Sequence, residues 1–206
     1  MIKVENIEVT GFEAAIRGAR NPLNSWNKSD SHYIWQDNVG EKFVLGPNDL
    51  GLMKRLYKAG ESHAKYLRMI HVTMDVTAPL YWWKEADQYK VGTTTNSCST
   101  MHKITSKEIE LSDFSIDDTG MEEIFTFVVA DCEKLRKKYL ETNDKKYWRG
   151  FIQLLPSSYN QKRTWDFDYQ TAVTMIHQRT GHKLSEWNEF VEVLKSLPYI
   201  SEIMGE

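Results

Sequence analysis

This chain has few cysteines, no long apolar runs and only a small excess of negative charge. Its 206 residues include only two cysteines, which are too few for a disulfide framework and indicate free thiols in a reducing compartment. No stretch approaches the roughly 18 apolar residues of a membrane helix. The net charge of -3 argues against sequence-independent binding of nucleic acid. The N-terminal residues contain no long apolar core, so we expect a cytoplasmic protein without membrane or nucleic-acid partners.

Aromatic residues are abundant by contrast. They make up 12% of the chain and include seven tryptophans and ten tyrosines. Such side chains bury a large area each, and they also stack on flat ligands. The composition therefore allows two interpretations, an aromatic core or subunit interface and an aromatic ligand site.

The order of elements predicts one α+β domain over residues 1–206. Alternating apolar residues indicate strands at 2–9 and 71–76. Apolar residues at three-to-four spacing indicate helices, and the predicted helices are 11–19, 47–59, 80–89, 120–142, 168–180 and 185–196, the last capped by Ser185. A short apolar segment, 150–155, follows the long helix. Residues 20–46 are polar, and we expect them to form an inserted loop or lid.

The segment from 91 to 102 consists of small polar residues and is predicted to be a loop. Seven of the eight positions from Thr93 to Thr100 carry hydroxyl or amide side chains. Such a loop holds a phosphate or the edge of a base through side chains and backbone N–H groups. A solvated surface turn is the alternative.

The surroundings of this loop resemble the flavin-dependent thymidylate synthases. In that family an apolar strand, Ala-Pro and a helix precede a signature motif. The motif reads Arg-His-Arg, then three residues of which the last is Ser, and then x-Asn-Glu-x-Ser-x-Arg. Here Ala78 and Pro79 lead through an aromatic helix to Asn96 and Ser99 at the signature Asn and final Ser. Ala14-Ala15-Ile16-Arg17 and the stretch from His177 to Trp187 are similar to further family segments. The resemblance covers roughly residues 1–195 and depends on the order of these elements.

The resemblance implies a small, mostly antiparallel sheet packed with several helices. It also implies a homotetramer whose ligand sites are shared between subunits. The implied activity is transfer of a one-carbon unit to a pyrimidine nucleotide such as dUMP. In the family, reduced FAD delivers the hydride and folate supplies the carbon.

The same resemblance assigns roles to individual residues. The catalytic positions are Ser99 and Arg179. The cofactor-binding positions are Lys90, Asn96 and Gln170. The substrate-binding positions are Ser97, Ser99, His102, Lys103 and Arg179. No metal site is expected, because His177 and His182 have neither a cysteine nor an acidic cluster beside them.

The chain departs from the family where the ligands carry charge. The Arg-His-Arg motif falls on Tyr89-Lys90-Val91, the signature Glu is Ser97, and the final Arg is Met101. Each charged hydrogen bond to phosphate contributes about 1.5–3 kcal/mol, so the lost arginines matter. The cations that remain nearby are Arg68, Lys90, Lys103 and Arg179. Either the ligand differs, or its contacts are rebuilt, or the chain is a non-catalytic nucleotide-binding or assembly protein.

Several candidate residues have an ordinary structural alternative. Ser99 either contacts a base or phosphate or caps a loop, and Asn96 either reads a planar ligand edge or stabilises a turn. Cys98, near lysines, is either a reactive thiolate or a plain small residue. Trp82 and Trp83 either pack in the core or stack on a flavin or base. These alternatives separate an enzyme from a binding protein on the same scaffold.

Overall fold

The computed structural model describes residues 2–37, 40–101, 103–117 and 120–205. Its strands are β1 (Lys3–Thr10), β2 (His32–Gln36), β3 (Gly40–Val44), β4 (His71–Pro79), β5 (Thr93–Ser97) and β6 (Asn160–Asp168). Its helices are α1 (Phe12–Arg20), α2 (Pro47–Lys58), α3 (Leu80–Ala86), α4 (Glu122–Thr142), α5 (Lys145–Leu154), α6 (Tyr169–Arg179), α7 (Ser185–Lys195) and α8 (Ile200–Met204). Short 3-10 turns lie between several of these elements.

A four-stranded antiparallel sheet organises the fold. Its strand order is β1-β4-β6-β5, and β2 and β3 form a separate hairpin. Alternate residues of β4 point in opposite directions, so Val72, Met74 and Val76 are buried on one face. The predicted α+β class with a small antiparallel sheet is confirmed.

The other face of the sheet is polar. Thr73 donates a hydrogen bond to Asp166 at 2.8 Å, and Thr164 donates one to Asp75 at 2.6 Å. Hydrogen bonds from Thr164, Asn6 and Lys162 lower the pKa of Asp75 to about 2. These pairs satisfy the polar groups of the two central strands and keep this face hydrophilic.

Tryptophans from three elements meet in the main core. Trp82, Trp83, Trp165 and Trp187 are each 0–1% exposed. The ring centroids of Trp82 and Trp187 are 4.6 Å apart, and Trp165 stacks on Phe190 at 5.8 Å. Such pairs add about 0.5–1.5 kcal/mol each beyond their buried area. The core interpretation of Trp82 and Trp83 is therefore the one that the structure supports.

A smaller core lies beneath α4 and α5. It contains the buried side chains of Ile104, Ile109, Phe114, Cys132 and Phe151. Cys132 is buried here while Cys98 is exposed, and both are free thiols. Burial raises the pKa of Cys132 to about 11, so this thiol stays protonated at neutral pH.

The segment 20–46 contains the β2–β3 hairpin, and its role as an inserted loop or lid stays a prediction. Three other expectations are wrong in detail. The predicted loop 91–102 contains β5, whose polar residues suit a solvent-exposed edge strand. Residues 150–155 largely belong to helix α5, and Leu184 rather than Ser185 is the N-cap of α7.

The sequence pattern predicts neither the central strand β6 nor the last helix α8. The half of β6 that begins at Gln161 reads Gln-Lys-Arg-Thr, which has no apolar alternation. Its strand conformation comes from pairing with β4 on one side and β5 on the other. Tertiary contacts, and not local propensity, decide this element.

Candidate functional site

A cavity of about 460 Å³ lies where the segment before β5 meets the first turn of α6. We call it the Lys90 cavity. It is lined by Glu61, Arg68, Gln88, Tyr89, Lys90, Val91, Gly92, Asp168, Gln170, Thr171 and Thr174. Four separate parts of the chain supply this concave polar surface: the turn after α2, the 3-10 turn Lys65–Met69, the α3–β5 connection and the start of α6.

The α3–β5 connection is held tightly against α6. Gly92 has a φ of +68°, and a Cβ at this position would lie 2.9 Å from Asp168 Oδ2. The Thr93 hydroxyl donates to the Tyr89 carbonyl at 2.6 Å, and Asp168 caps α6 by accepting from the Thr171 N–H at 2.8 Å. Only glycine combines this backbone conformation with so close an approach. The Lys90 backbone is therefore fixed at the cavity edge.

The charges around the Lys90 cavity balance. Arg68 and Lys90 contribute two positive charges, and Glu61 and Asp168 contribute two negative ones. Amide and hydroxyl groups of Gln88, Gln170, Thr171 and Thr174 fill the rest of the polar lining. Amides offer a donor and an acceptor side by side, which suits the edge of a planar heterocycle. The lining fits a small polar ligand with one anionic group.

A second compartment of about 310 Å³ continues along α6. It shares Glu61, Gln170 and Thr174 with the Lys90 cavity. Tyr57 and His177 also line it and are joined by a hydrogen bond of 2.8 Å between Oη and Nε2. The two compartments form a groove between the end of α2 and the outer face of α6.

Of the predicted site residues, the structure brings Lys90 and Gln170 together at this groove. Arg179 lies on α6 but lines neither compartment. Its guanidinium donates to Glu85 at 2.6 Å and to the Tyr89 hydroxyl at 2.9 Å, and it lies 4.5 Å from the ring centre of Trp187. We call this the Arg179 cluster. The arginine holds α3 to the end of α6.

The other predicted residues lie along β5 and beyond it. Asn96 pairs with Thr164 on the polar face of the sheet, opposite to the core. Ser97 pairs with Arg163, and Ser99 accepts a backbone hydrogen bond from Lys103 at 3.1 Å. None of these lines the groove in the part of the chain that the structure describes. His102 lies outside the described residues, so the roles assigned to this set stay predictions.

Sequence reasoning missed part of the lining. Arg68 stands out only as a nearby cation, and Gln88 and Thr171 belong to no motif. They reach the cavity because the 3-10 turn Lys65–Met69 and the N-terminus of α6 lie beside the α3–β5 connection. Nothing in their spacing along the chain indicates this.

The described residues contain neither a metal-binding cluster nor a membrane-spanning helix. No group of three or more His, Cys, Asp or Glu side chains among them is arranged to hold a metal ion. Their helices include none with the length and apolar character needed to cross a membrane.

Comparison with solved structures defines the class of fold: the chain has the fold of the flavin-dependent thymidylate synthases, as the resemblance predicted. No protein-family model and no curated protein sequence matches it. The comparison with known proteins therefore rests on structural similarity alone.

The solved structures that resemble this chain include those of ThyX and of a related methylase. ThyX from Helicobacter pylori, complexed with FAD and dUMP, matches with a TM-score of 0.73 and 17% identity over 99% of this chain and 98% of that chain. A second structure of the same enzyme with FAD and dUMP gives 0.74 and 17% over 100% and 98%. The UMP/dUMP methylase PolB from Streptomyces cacaoi, bound with 5-Br dUMP, gives 0.66 and 14% over 98% and 93%. At these identities the likeness establishes the fold.

Proposed function

We propose that this protein binds a pyrimidine nucleotide in the Lys90 cavity. The observation that carries the proposal is the convergence of two cations and two amide side chains on one cavity of a fold whose neighbours were crystallised with dUMP or 5-Br dUMP. A volume of about 460 Å³ suits a small-molecule ligand.

The lining suggests how the nucleotide is held. Lys90 and Arg68 are exposed and line the cavity, so they are the groups placed to bind the phosphate. Charge-assisted hydrogen bonds of this kind contribute about 1.5–3 kcal/mol each. Gln170 and Gln88 provide paired donors and acceptors for the O and N–H groups on a pyrimidine edge. Glu61 and Asp168 oppose further negative charge, which favours a monophosphate.

The groove residues do not fit FAD in the same way. The pyrophosphate of FAD spreads its charge over two phosphate groups that need separate cationic contacts, whereas dUMP carries a single phosphate that Lys90 and Arg68 can share. Arg179, the further cation that the resemblance assigns, is already paired with Glu85. One-carbon transfer with reduced FAD and folate therefore has the support of the fold alone and stays a prediction. The predicted homotetramer also stays a prediction, which light scattering measures directly.

Calorimetric titration with dUMP tests the proposal. We expect saturable binding of dUMP, weaker binding of deoxyuridine because it lacks the phosphate, and no uptake of FAD. Lys90→Ala should weaken dUMP binding about tenfold or more by removing a phosphate contact. Lys84→Ala is the matched control, because Lys84 is an exposed lysine on α3 outside the cavity.

Two results would contradict the proposal. One is the absence of binding with dUMP, UMP and dCMP alike. The other is equal loss of affinity in the Lys90 and Lys84 variants, which would mean that overall charge and not the cavity holds the nucleotide. A yellow protein that takes up FAD would support the flavin-dependent activity instead.

A further inference from the structure

A separate cavity of about 290 Å³ lies between α1 and the segment 20–46. We call it the α1 cavity. It is lined by Glu13, Ile16, Arg17, Arg20, Trp26, Ser29, Ser31 and Phe43. None of these residues lines the Lys90 cavity. Most of them belong to the segment 20–46, the predicted inserted loop or lid.

The walls of the α1 cavity are aromatic and apolar. Trp26 is 49% exposed, yet its indole is fixed because Nε1 donates to Asn21 Oδ1 at 2.8 Å. Phe43 stacks on Phe12 with ring centres 5.8 Å apart, and Ile16 is 4% exposed. A tryptophan held in one orientation but left half exposed at a cavity offers a flat surface for a ring.

The floor of the cavity is a preorganised polar network. Arg20 is 4% exposed, and its Nε donates to Asp49 Oδ1 at 2.6 Å. Its two Nη atoms donate to the carbonyls of Ser25 at 3.2 Å and Lys28 at 2.9 Å, and Nη2 also contacts Asp49. Hydrogen bonds to three oxygen atoms therefore hold the Arg20 guanidinium in one orientation, and the floor is rigid.

The rim supplies the charge. Arg17 is exposed, and no hydrogen bond or ion pair joins its guanidinium to another of the described residues. Glu13 accepts a hydrogen bond of 3.4 Å from the Tyr33 hydroxyl, which draws its carboxylate toward the hairpin. A free guanidinium beside a fixed indole favours an anion with a planar fork of acceptors, such as a carboxylate.

We propose that the α1 cavity is a second ligand site, for a small planar aromatic carboxylate. The ring lies against Trp26 and Phe43, and the carboxylate pairs with Arg17. The Lys90 cavity differs because its lining is rich in amides and contains no tryptophan. The two sites thus select for different chemistry, a base edge with phosphate in one and a flat apolar ring with carboxylate in the other.

Titration with 2-naphthoate and 2-naphthamide tests this proposal, because the two probes share the ring and differ in charge. We expect one molecule of 2-naphthoate per chain and much weaker binding of the amide. Arg17→Gln should lower the 2-naphthoate affinity about tenfold or more. Arg55→Gln, an exposed arginine on α2 outside the cavity, is the control and should leave it unchanged.

Trp26→Leu adds an independent readout, since the side chain is half exposed and its loss leaves the Arg20 floor intact. We expect it to weaken both probes while the melting temperature stays close to that of the parent. Binding of 2-naphthoate should persist in Lys90→Ala and with saturating dUMP, which separates this site from the proposed nucleotide site. The proposal is overturned if 2-naphthoate does not bind, if the amide binds equally well, or if Arg17→Gln has no effect.

Discussion

Two of the arginine–carboxylate clusters among the described residues look alike and differ in burial. Arg20 and Asp49 are joined at 2.6 Å with side chains 5% and 0% exposed, whereas Arg179 and Glu85 are joined at 2.6 Å with side chains 12% and 32% exposed. The first cluster ties the segment 20–46 to α1 and α2. The second ties the end of α6 to α3, beside the Lys90 cavity.

The surroundings of the two carboxylates explain what the difference means. Asp49 accepts hydrogen bonds from the hydroxyls of Ser29 and Ser31 in addition to Arg20, so its charge is fully compensated inside the protein. Glu85 remains partly hydrated and shares its Oε2 with Arg179 and the Trp187 indole. Removing a partner from the buried cluster leaves a charge with no access to water, and removing one from the Arg179 cluster does not.

The largest effect is expected from Asp49→Asn. It leaves the Arg20 guanidinium buried without its counter-charge, which costs about 3–5 kcal/mol in the free energy of unfolding. Urea denaturation at neutral pH measures this loss. The control is Asp131→Asn on the exposed side of α4, which should change the free energy of unfolding little. Equal stability of Asp49→Asn and the parent would show that the cluster does not stabilise the fold.

A pH dependence follows from the same carboxylate. Burial by itself would raise the pKa of Asp49, but hydrogen bonds from Ser31, Ser29 and Arg20 outweigh it and hold the pKa below its usual value. The stabilisation is therefore complete above the unfolded-state pKa of about 4 and is lost as the pH falls through the lower folded-state pKa. We expect the stability difference between the parent and Asp49→Asn to shrink as the pH falls below about 4. A constant difference would assign the acid sensitivity to other carboxylates.

The smallest effect is expected from Arg179→Gln. This change removes the charged hydrogen bond to Glu85 and the contact with Trp187, and we expect a loss of about 1–3 kcal/mol because water reaches the cluster. The affinity for dUMP should stay close to that of the parent, since Arg179 does not line the Lys90 cavity. A large drop in dUMP affinity without loss of stability would instead return Arg179 to the substrate-binding role that the family resemblance assigns to it.

Much of the fold was predictable from the sequence, because long segments with periodic apolar residues are recognisable as helices or strands. The apolar face of α4 and the alternation in β4 mark their elements within a few residues. β5 was not predictable, because Thr-Thr-Thr-Asn-Ser has no apolar face. The candidate site was predictable only in part. Lys90 and Gln170 were found through the resemblance, while Gln88 and Thr171 carry no local signal.

What the sequence determined by itself is the set of elements and their order, because hydrophobic periodicity is a local property of the chain. What only the tertiary structure decided is which cations remain available to a ligand. Arg17, Arg20 and Arg179 are chemically identical, but packing places one at a cavity rim, one in a cavity floor and one against Glu85 and Trp187. Burial and partner geometry depend on residues far apart in the chain, so the role of each arginine emerges only once the chain is folded.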